Sequence, residues 1–191
     1  MSEHSLFDAS LIPRRFQSSL PAGLTLRPLW STDYTRDHLA LLSHLTSAPD
    51  IGPSRWTERF HELLAVNAVR LTYLNVVIVE EESDRLVGQA MVVVERKFLR
   101  NAGLVGHVED VVVDPRMQGK NLGLRLLEVL TALSEEVGCY KVSREPSWTA
   151  IPRTKVSCRV SRSRREAWAN PRSPPSFLCQ VRVRWTSIPG F

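Results

Sequence analysis

The sequence predicts an α/β (α+β) domain, a mixed central sheet flanked by helices, and three observations carry that expectation. β-Branched runs alternate with polar residues at period two, leucine-rich segments repeat at helical spacing, and the two kinds of segment interleave along the chain. At 191 residues, with 43% hydrophobic and 24% charged residues, the chain is long enough to bury a core around a sheet without cross-links.

The elements follow in order. LTLRPL at 24–29 alternates as a half-buried strand does, after an N-terminal extension of residues 1–23. Ser31, Thr32 and Asp33 are helix-opening residues, and Leu39, Leu41, Leu42 and Leu45 give that helix an apolar face up to about Thr46, where SAPDIGPS supplies breakers. A second helix is expected from Arg55 to Asn67. The β-branched runs at 71–82 and 86–97, split by the polar turn at Ser83 and Asp84, read as an antiparallel hairpin. A strand at 106–115 stops at Pro115, and Leu126, Leu127, Leu130 and Leu133 mark a helix over 122–137. A helix packed on a sheet returns the chain to it, so Cys139, Tyr140 and Lys141 open a fifth strand.

Beyond Lys141 the composition changes. Residues 142–191 hold six of the twelve prolines, eight serines, and nine Arg and one Lys against two Glu, a net +8 that leaves the first 141 residues at −3. Such a segment predicts a disordered tail, and it removes the basic character from the folded body. Arg162, Arg164 and Arg165, with Trp168 and Trp185, also fit a nucleic-acid-binding tail. Unselected sequence gives the same runs, so nucleic acid is not an expected partner. No apolar run reaches the length of a membrane span, and no uninterrupted apolar segment follows the N-terminus as in a secretory signal. Cys139, Cys158 and Cys179 show neither metal-ligand pairing nor an even disulfide framework. These features predict a soluble, cytoplasmic protein without a metal.

The informative segment runs from Val111 to Leu124, VVVDPRMQGKNLGL, a strand, a turn and a helix start. Gly119 and Gly123 let backbone N–H groups converge, and the helix N-terminus adds partial positive charge, so a pyrophosphate fits there. A plain βα turn has the same glycines; the flanking residues favour the anion site.

Val111 to Val113 followed by Gln118 to Gly123 resembles the signature of the GNAT acetyltransferases. GHVEDVVVDPRMQGKNLG, the upstream VVERKFLRNAGLVGH and the downstream GCYK are similar to the glucosamine 6-phosphate N-acetyltransferase family, over roughly 24–141. The resemblance implies the GNAT acyl-CoA N-acyltransferase fold, acetyl-CoA as co-substrate, no metal, a homodimer, and acetyl transfer to the amine of a sugar phosphate on the route to UDP-N-acetylglucosamine. It implies that Val111, Val112 and Val113 pair with the pantetheine arm, and that Gln118, Gly119, Lys120, Asn121, Leu122, Gly123 and Leu124 cradle the pyrophosphate. Sugar-phosphate contacts are implied at Thr46, at Lys97, Phe98, Leu99 and Arg100, at Glu109, Asp110 and Val111, and at Tyr140 and Lys141. Glu109 and Asp110 are the candidate proton-transfer groups.

Bland readings stand beside these roles. Lys97 and Arg100 also read as a solvated loop, Tyr140 as a core aromatic, Glu109 as an edge acid and His107 as a packing residue. The family pattern continues with further strands, an Asn and a Tyr, and these positions fall here on Ala150 and Thr154. The departure implies that the C-terminal strands are missing or disordered. An unspliced intron or a shifted frame from Val142 onward accounts for it, and the alternative function is then a catalytically impaired acyl-CoA-binding domain.

Overall fold

The computed structural model describes residues 3–144. Five strands, β1 (Leu24–Pro28), β2 (Tyr73–Glu80), β3 (Arg85–Arg96), β4 (Leu104–Val113) and β5 (Cys139–Arg144), form one sheet in the order β1-β2-β3-β4-β5. The first three neighbouring pairs, β1 to β4, are antiparallel, and β5 pairs parallel to β4. A parallel neighbour needs a crossover, which here is the helix expected at 122–137. The strand expected from Cys139 forms and runs to Arg144. The tail beyond it, with Ala150, Thr154 and the basic-aromatic run, lies outside the described residues.

Among the described residues the sheet is accompanied by helices α1 (Arg14–Ser18), α2 (His38–Leu42), α3 (Pro53–Val69) and α4 (Leu122–Glu136). In α4, Leu126, Val129, Leu130 and Leu133 recur at helical spacing and are buried, which fixes one face of the helix on the sheet. Gly106 permits the close approach, since a Cβ there would stand 2.7 Å from Ser134 Oγ and 3.0 Å from Val92 Cγ2. Gly88 lies against Leu126 in the same way, so Gly88, Val92 and Gly106 mark the sheet face that α4 covers.

The opposite face is covered over β1 to β3 by α2, α3 and the N-terminal segment. Leu6 and Phe7 are buried, the Leu6 amide donates to Leu29 O at 2.9 Å, and Asn67 Nδ2 donates to Leu6 O at 3.0 Å. A buried ion pair anchors β1: Arg27 reaches Asp33 through two bonds of 2.8 and 2.7 Å, and its guanidinium stacks 3.8 Å from the Trp30 ring centroid.

The first helix differs from its expectation. A 3-10 turn, Asp33–Arg36, precedes α2, and Asp37 between them is left-handed at φ 61°. Thr32 makes no side-chain cap, and Asp33 instead accepts from the Trp30 amide at 2.7 Å. The break turns His38 inward, so His38 and Leu41 are buried while Leu45 is exposed. The polar demand of the core at Gln89, which bonds His38, overrides the leucine periodicity.

Candidate functional site

Two irregularities in β4 and its neighbours shape the site. Gln89 pairs with Val112 and Met91 with Glu109, so two steps along β3 face three along β4, a bulge that holds Asp110 and Val111. Asp110 takes φ 49°, a conformation Asp tolerates better than most residues, and its side chain is exposed. On the other flank, Leu104 pairs with Cys139 and Val105 with Lys141, which leaves Tyr140 extra in β5. The register between β4 and β5 ends at Val108 and Arg144. Among the described residues, the β4 edge from Glu109 to Val113 that faces away from β3 therefore carries no strand.

That edge leads directly into the turn before α4. The Asp114 amide donates to Val87 O at 2.9 Å, and its carboxylate accepts from the Arg116 amide at 2.8 Å and from the Arg116 guanidinium at 2.6 to 3.1 Å. The Arg116 hydrogen bonds hold the Asp114 carboxyl below its usual range. Gly119 follows at φ 82°, with no atom of the described residues within 4 Å of where a Cβ would stand, and Asn121 is left-handed at φ 55°. Among the described residues Asn121 makes no side-chain cap, and the Arg125 amide donates to Asn121 O at 3.1 Å, the first α-helical bond of the helix. The amides of Leu122, Gly123 and Leu124 thus lack intrahelical acceptors, and Gln118, Gly119, Lys120 and Asn121 beside them are exposed. Open amides, a left-handed glycine and a 15-residue helix N-terminus suit an anionic diester.

Of the acceptor-side candidates, Lys97, Glu109 and Lys141 lie on the sheet face opposite α4. Strand residues alternate sides, so Met91, Val93, Glu95 and Lys97 share one side, as do Val105, His107 and Glu109, and cross-strand pairing adds Lys141 and Ser143. Glu95 bridges two of them: its Oε1 accepts from Lys97 Nζ at 2.5 Å and its Oε2 pairs with His107 Nε2 at 2.7 Å. These contacts hold the Glu95 carboxyl below its usual range, with the Lys97 bond the larger cause. His107 is therefore not a packing residue. Its side chain is 34% exposed and belongs to this polar row. One row further in, Asn75, Met91 and Glu109 lie opposite one another, and Asn75 Oδ1 is buried without a partner among the described residues.

Tyr140 is 47% exposed, which removes the core-aromatic reading. Its ring lies on Gly103, where a Cβ would meet Tyr140 Cδ1 at 2.7 Å, and Arg100 stands 6.0 Å from the ring centroid. Between Lys97 and Gly103 the chain makes a left-handed turn, with Arg100, Asn101 and Ala102 at φ 55 to 57°. Phe98 and Leu99 project from it, exposed. A cavity of about 580 Å³ opens beside this turn among Arg70, Arg96, Lys97, Phe98, Ala102 and Leu104. Thr46 is exposed in the turn after α2, and no side-chain bond among the described residues joins it to the row.

Sequence reading missed Glu95 and the His38 network. Glu95 had a signal, since the period of two that places Lys97 and His107 places it between them. Behind the bulge, Trp56 Nε1 donates to His38 Nδ1 at 2.9 Å and His38 Nε2 bonds Gln89 Oε1. Burial lowers the His38 pKa, with the Gln89 hydrogen bond, Asp33 and Asp110 opposing. Among the described residues no group of His, Cys, Asp and Glu could hold a metal, and no helix is long and apolar enough to cross a membrane.

Comparison with known proteins bears on the family and the fold. The sequence model described as Acetyltransferase (GNAT) family matches residues 37–148. The chain is 40% identical over 124 residues, 63% of its length and 72% of the relative's, to a rice (Oryza sativa subsp. japonica) protein named probable glucosamine 6-phosphate N-acetyltransferase 2. It is 35% identical to glucosamine 6-phosphate N-acetyltransferase 1 of Dictyostelium discoideum, covering 63% of this chain and 74% of that one. The crystal structure of the Arabidopsis thaliana glucosamine-6-phosphate N-acetyltransferase superposes with a TM-score of 0.61 at 35% identity, over 65% of this chain and 83% of that chain. The family match spans more than half of the chain, and the chain covers more than two thirds of both relatives: it belongs to the acetyltransferase (GNAT) family.

Proposed function

We propose that the chain transfers the acetyl group of acetyl-CoA to the amine of D-glucosamine 6-phosphate, giving N-acetyl-D-glucosamine 6-phosphate. The observation that supports this reading best is the Asp110 bulge, which lies between the open amides at the start of α4 and the Lys97–Glu95–His107 row. The relatives' names supply the substrate.

In this reading the main chain of Val111, Val112 and Val113 receives the pantetheine arm along the free β4 edge, and the amides from Gly119 to Leu124, flanked by Gln118 and Lys120, receive the pyrophosphate. Acetyl-CoA supplies an activated acyl group: the amine attacks its carbonyl carbon directly, the C–N bond forms as the C–S bond breaks, and coenzyme A departs as a thiolate that takes up a proton. A strand N–H at the bulge polarises the carbonyl, and the two strands and the helix start hold the reactants in register. Glu109 and Asp110 bind the ammonium and accept its proton as it becomes nucleophilic. Lys97, Arg100 and Lys141 balance the phosphate, and Tyr140 packs on the sugar face.

The same family reading implies a homodimer working in the cytoplasm on the route to UDP-N-acetylglucosamine. One observation favours a second reading, a coenzyme-binding domain with impaired turnover: the family's proton-donating tyrosine position falls on Thr154, and a threonine hydroxyl is far less acidic than a phenol of pKa about 10. Incubation of the full chain with acetyl-CoA and 15N-labelled glucosamine 6-phosphate distinguishes them by NMR. An amide signal that grows with enzyme supports acetyl transfer; coenzyme binding without an amide signal supports the second reading.

A further inference from the structure

The candidate phosphate cation sits at the wrong end of its strand. Lys97 lies six residues beyond Met91, the partner of Glu109, and at about 3.3 Å per residue its Cα stands about 20 Å from the bulge row. An amino-sugar phosphate is much shorter than that. The structure brings the charge back: Lys97 Nζ bonds Glu95 Oε1 at 2.5 Å, two residues closer to the bulge, and the other oxygen of the same carboxylate holds His107 Nε2 at 2.7 Å. Both side chains are only one-third exposed, Lys97 at 33% and His107 at 34%. Lys97 also lines the open cavity beside Arg70 and Arg96.

We infer that Glu95 is a positioning residue of the acceptor site, folding Lys97 back along the open sheet face and pairing it with His107 so that the two basic groups meet a phosphate whose amine lies at Glu109 and Asp110. This rests on the reading of the acceptor as an amino-sugar phosphate. Glu95 touches no reacting atom. The hydrogen bonds from Lys97 and His107 hold its carboxyl below the usual range, and one carboxylate between two basic groups fixes their direction. A carboxylate near a phosphate also repels it, so the sign of the effect decides whether orientation or charge dominates.

Equilibrium binding of glucosamine 6-phosphate and of glucosamine to the full chain, by calorimetry, tests this with wild type, Glu95→Gln, Lys97→Met and the double variant. Glu95→Gln is expected to weaken glucosamine 6-phosphate about tenfold and to leave glucosamine unchanged. The double variant is expected to lose less than the sum of the two single losses, because Glu95 acts in part through Lys97 and in part through His107. Unchanged or tighter binding of the phosphorylated sugar by Glu95→Gln, an equal loss for both sugars, or additive losses in the double variant overturns the inference, as does a wild type with no preference for the phosphorylated sugar. A wild type that prefers the phosphorylated sugar but yields no amide product contradicts the proposed reaction and leaves the positioning role standing on the binding data.

Discussion

Trp56 donates its indole N–H to Nδ1 of His38 at 2.9 Å, and because the indole nitrogen is a donor only, the single proton of neutral His38 must reside on Nε2, where it is given to Gln89. Helix α3 thereby fixes the tautomer of a buried ring whose other end meets the strand pairing at the bulge. Trp56→Phe keeps the ring contacts with His38 and with Phe60 but removes the donor. It is expected to cost about 1–3 kcal/mol, read from urea unfolding midpoints, because Nδ1 is left buried without a partner. A variant as stable as wild type contradicts this.

The same burial gives a pH dependence. The folded state holds the His38 pKa below its ordinary value near 6.5, so in the window beneath that value the unfolded chain binds the proton more readily. The contribution of His38 to stability is therefore complete above about pH 6.5 and is lost as the pH falls through the folded value. Denaturant midpoints measured down to pH 5 are expected to decline, and to decline less in His38→Gln.

Gly106 tests the packing of α4 on the sheet. In Gly106→Ala the new Cβ meets Ser134 Oγ and Val92 Cγ2 in a fully packed layer, and overpacking of this kind costs about 1–3 kcal/mol. Thermal melting is expected to fall by several degrees without loss of the far-ultraviolet circular dichroism signal. No change in melting would mean that α4 stands further from the sheet.

Gly119 tests the proposed pyrophosphate cradle from a different direction, since a Cβ there meets no atom of the described residues and only the backbone objects. A left-handed alanine costs about 1–2 kcal/mol. Gly119→Ala is expected to relax the turn, weakening acetyl-CoA binding several-fold while the Kd for glucosamine 6-phosphate stays fixed. Equal effects on both ligands contradict a dedicated cradle.

Asp110→Asn separates charge from shape at the bulge. Asn accepts the left-handed backbone as Asp does, so the bulge persists while the carboxylate is lost. If Asp110 accepts the ammonium proton, kcat is expected to fall about 10²-fold or more with acetyl-CoA affinity unchanged. Full activity assigns the proton transfer elsewhere.

Much of the frame was legible because its signals are periodic. The hairpin of β2 and β3, the α4 helix and the β4 strand appear where alternation and leucine spacing put them, within two residues at each end. The break at Asp37 was not legible, since it answers to Gln89, 51 residues away from His38 in sequence. Bulges at Asp110 and Tyr140 are properties of pairing between strands, and a single strand carries no trace of them. The N-terminal extension gave no periodic signal either, yet Leu6 and Phe7 are core residues because the Leu29 carbonyl and Asn67 capture the backbone there.

The central claim is sugar-dependent acetyl transfer by this chain, and thiol release from acetyl-CoA measures it most directly. With the purified full chain, the account predicts release that saturates with glucosamine 6-phosphate and is near background with glucose 6-phosphate, which lacks the amine. Release that is equal with either sugar, or absent with both while acetyl-CoA still binds, contradicts it.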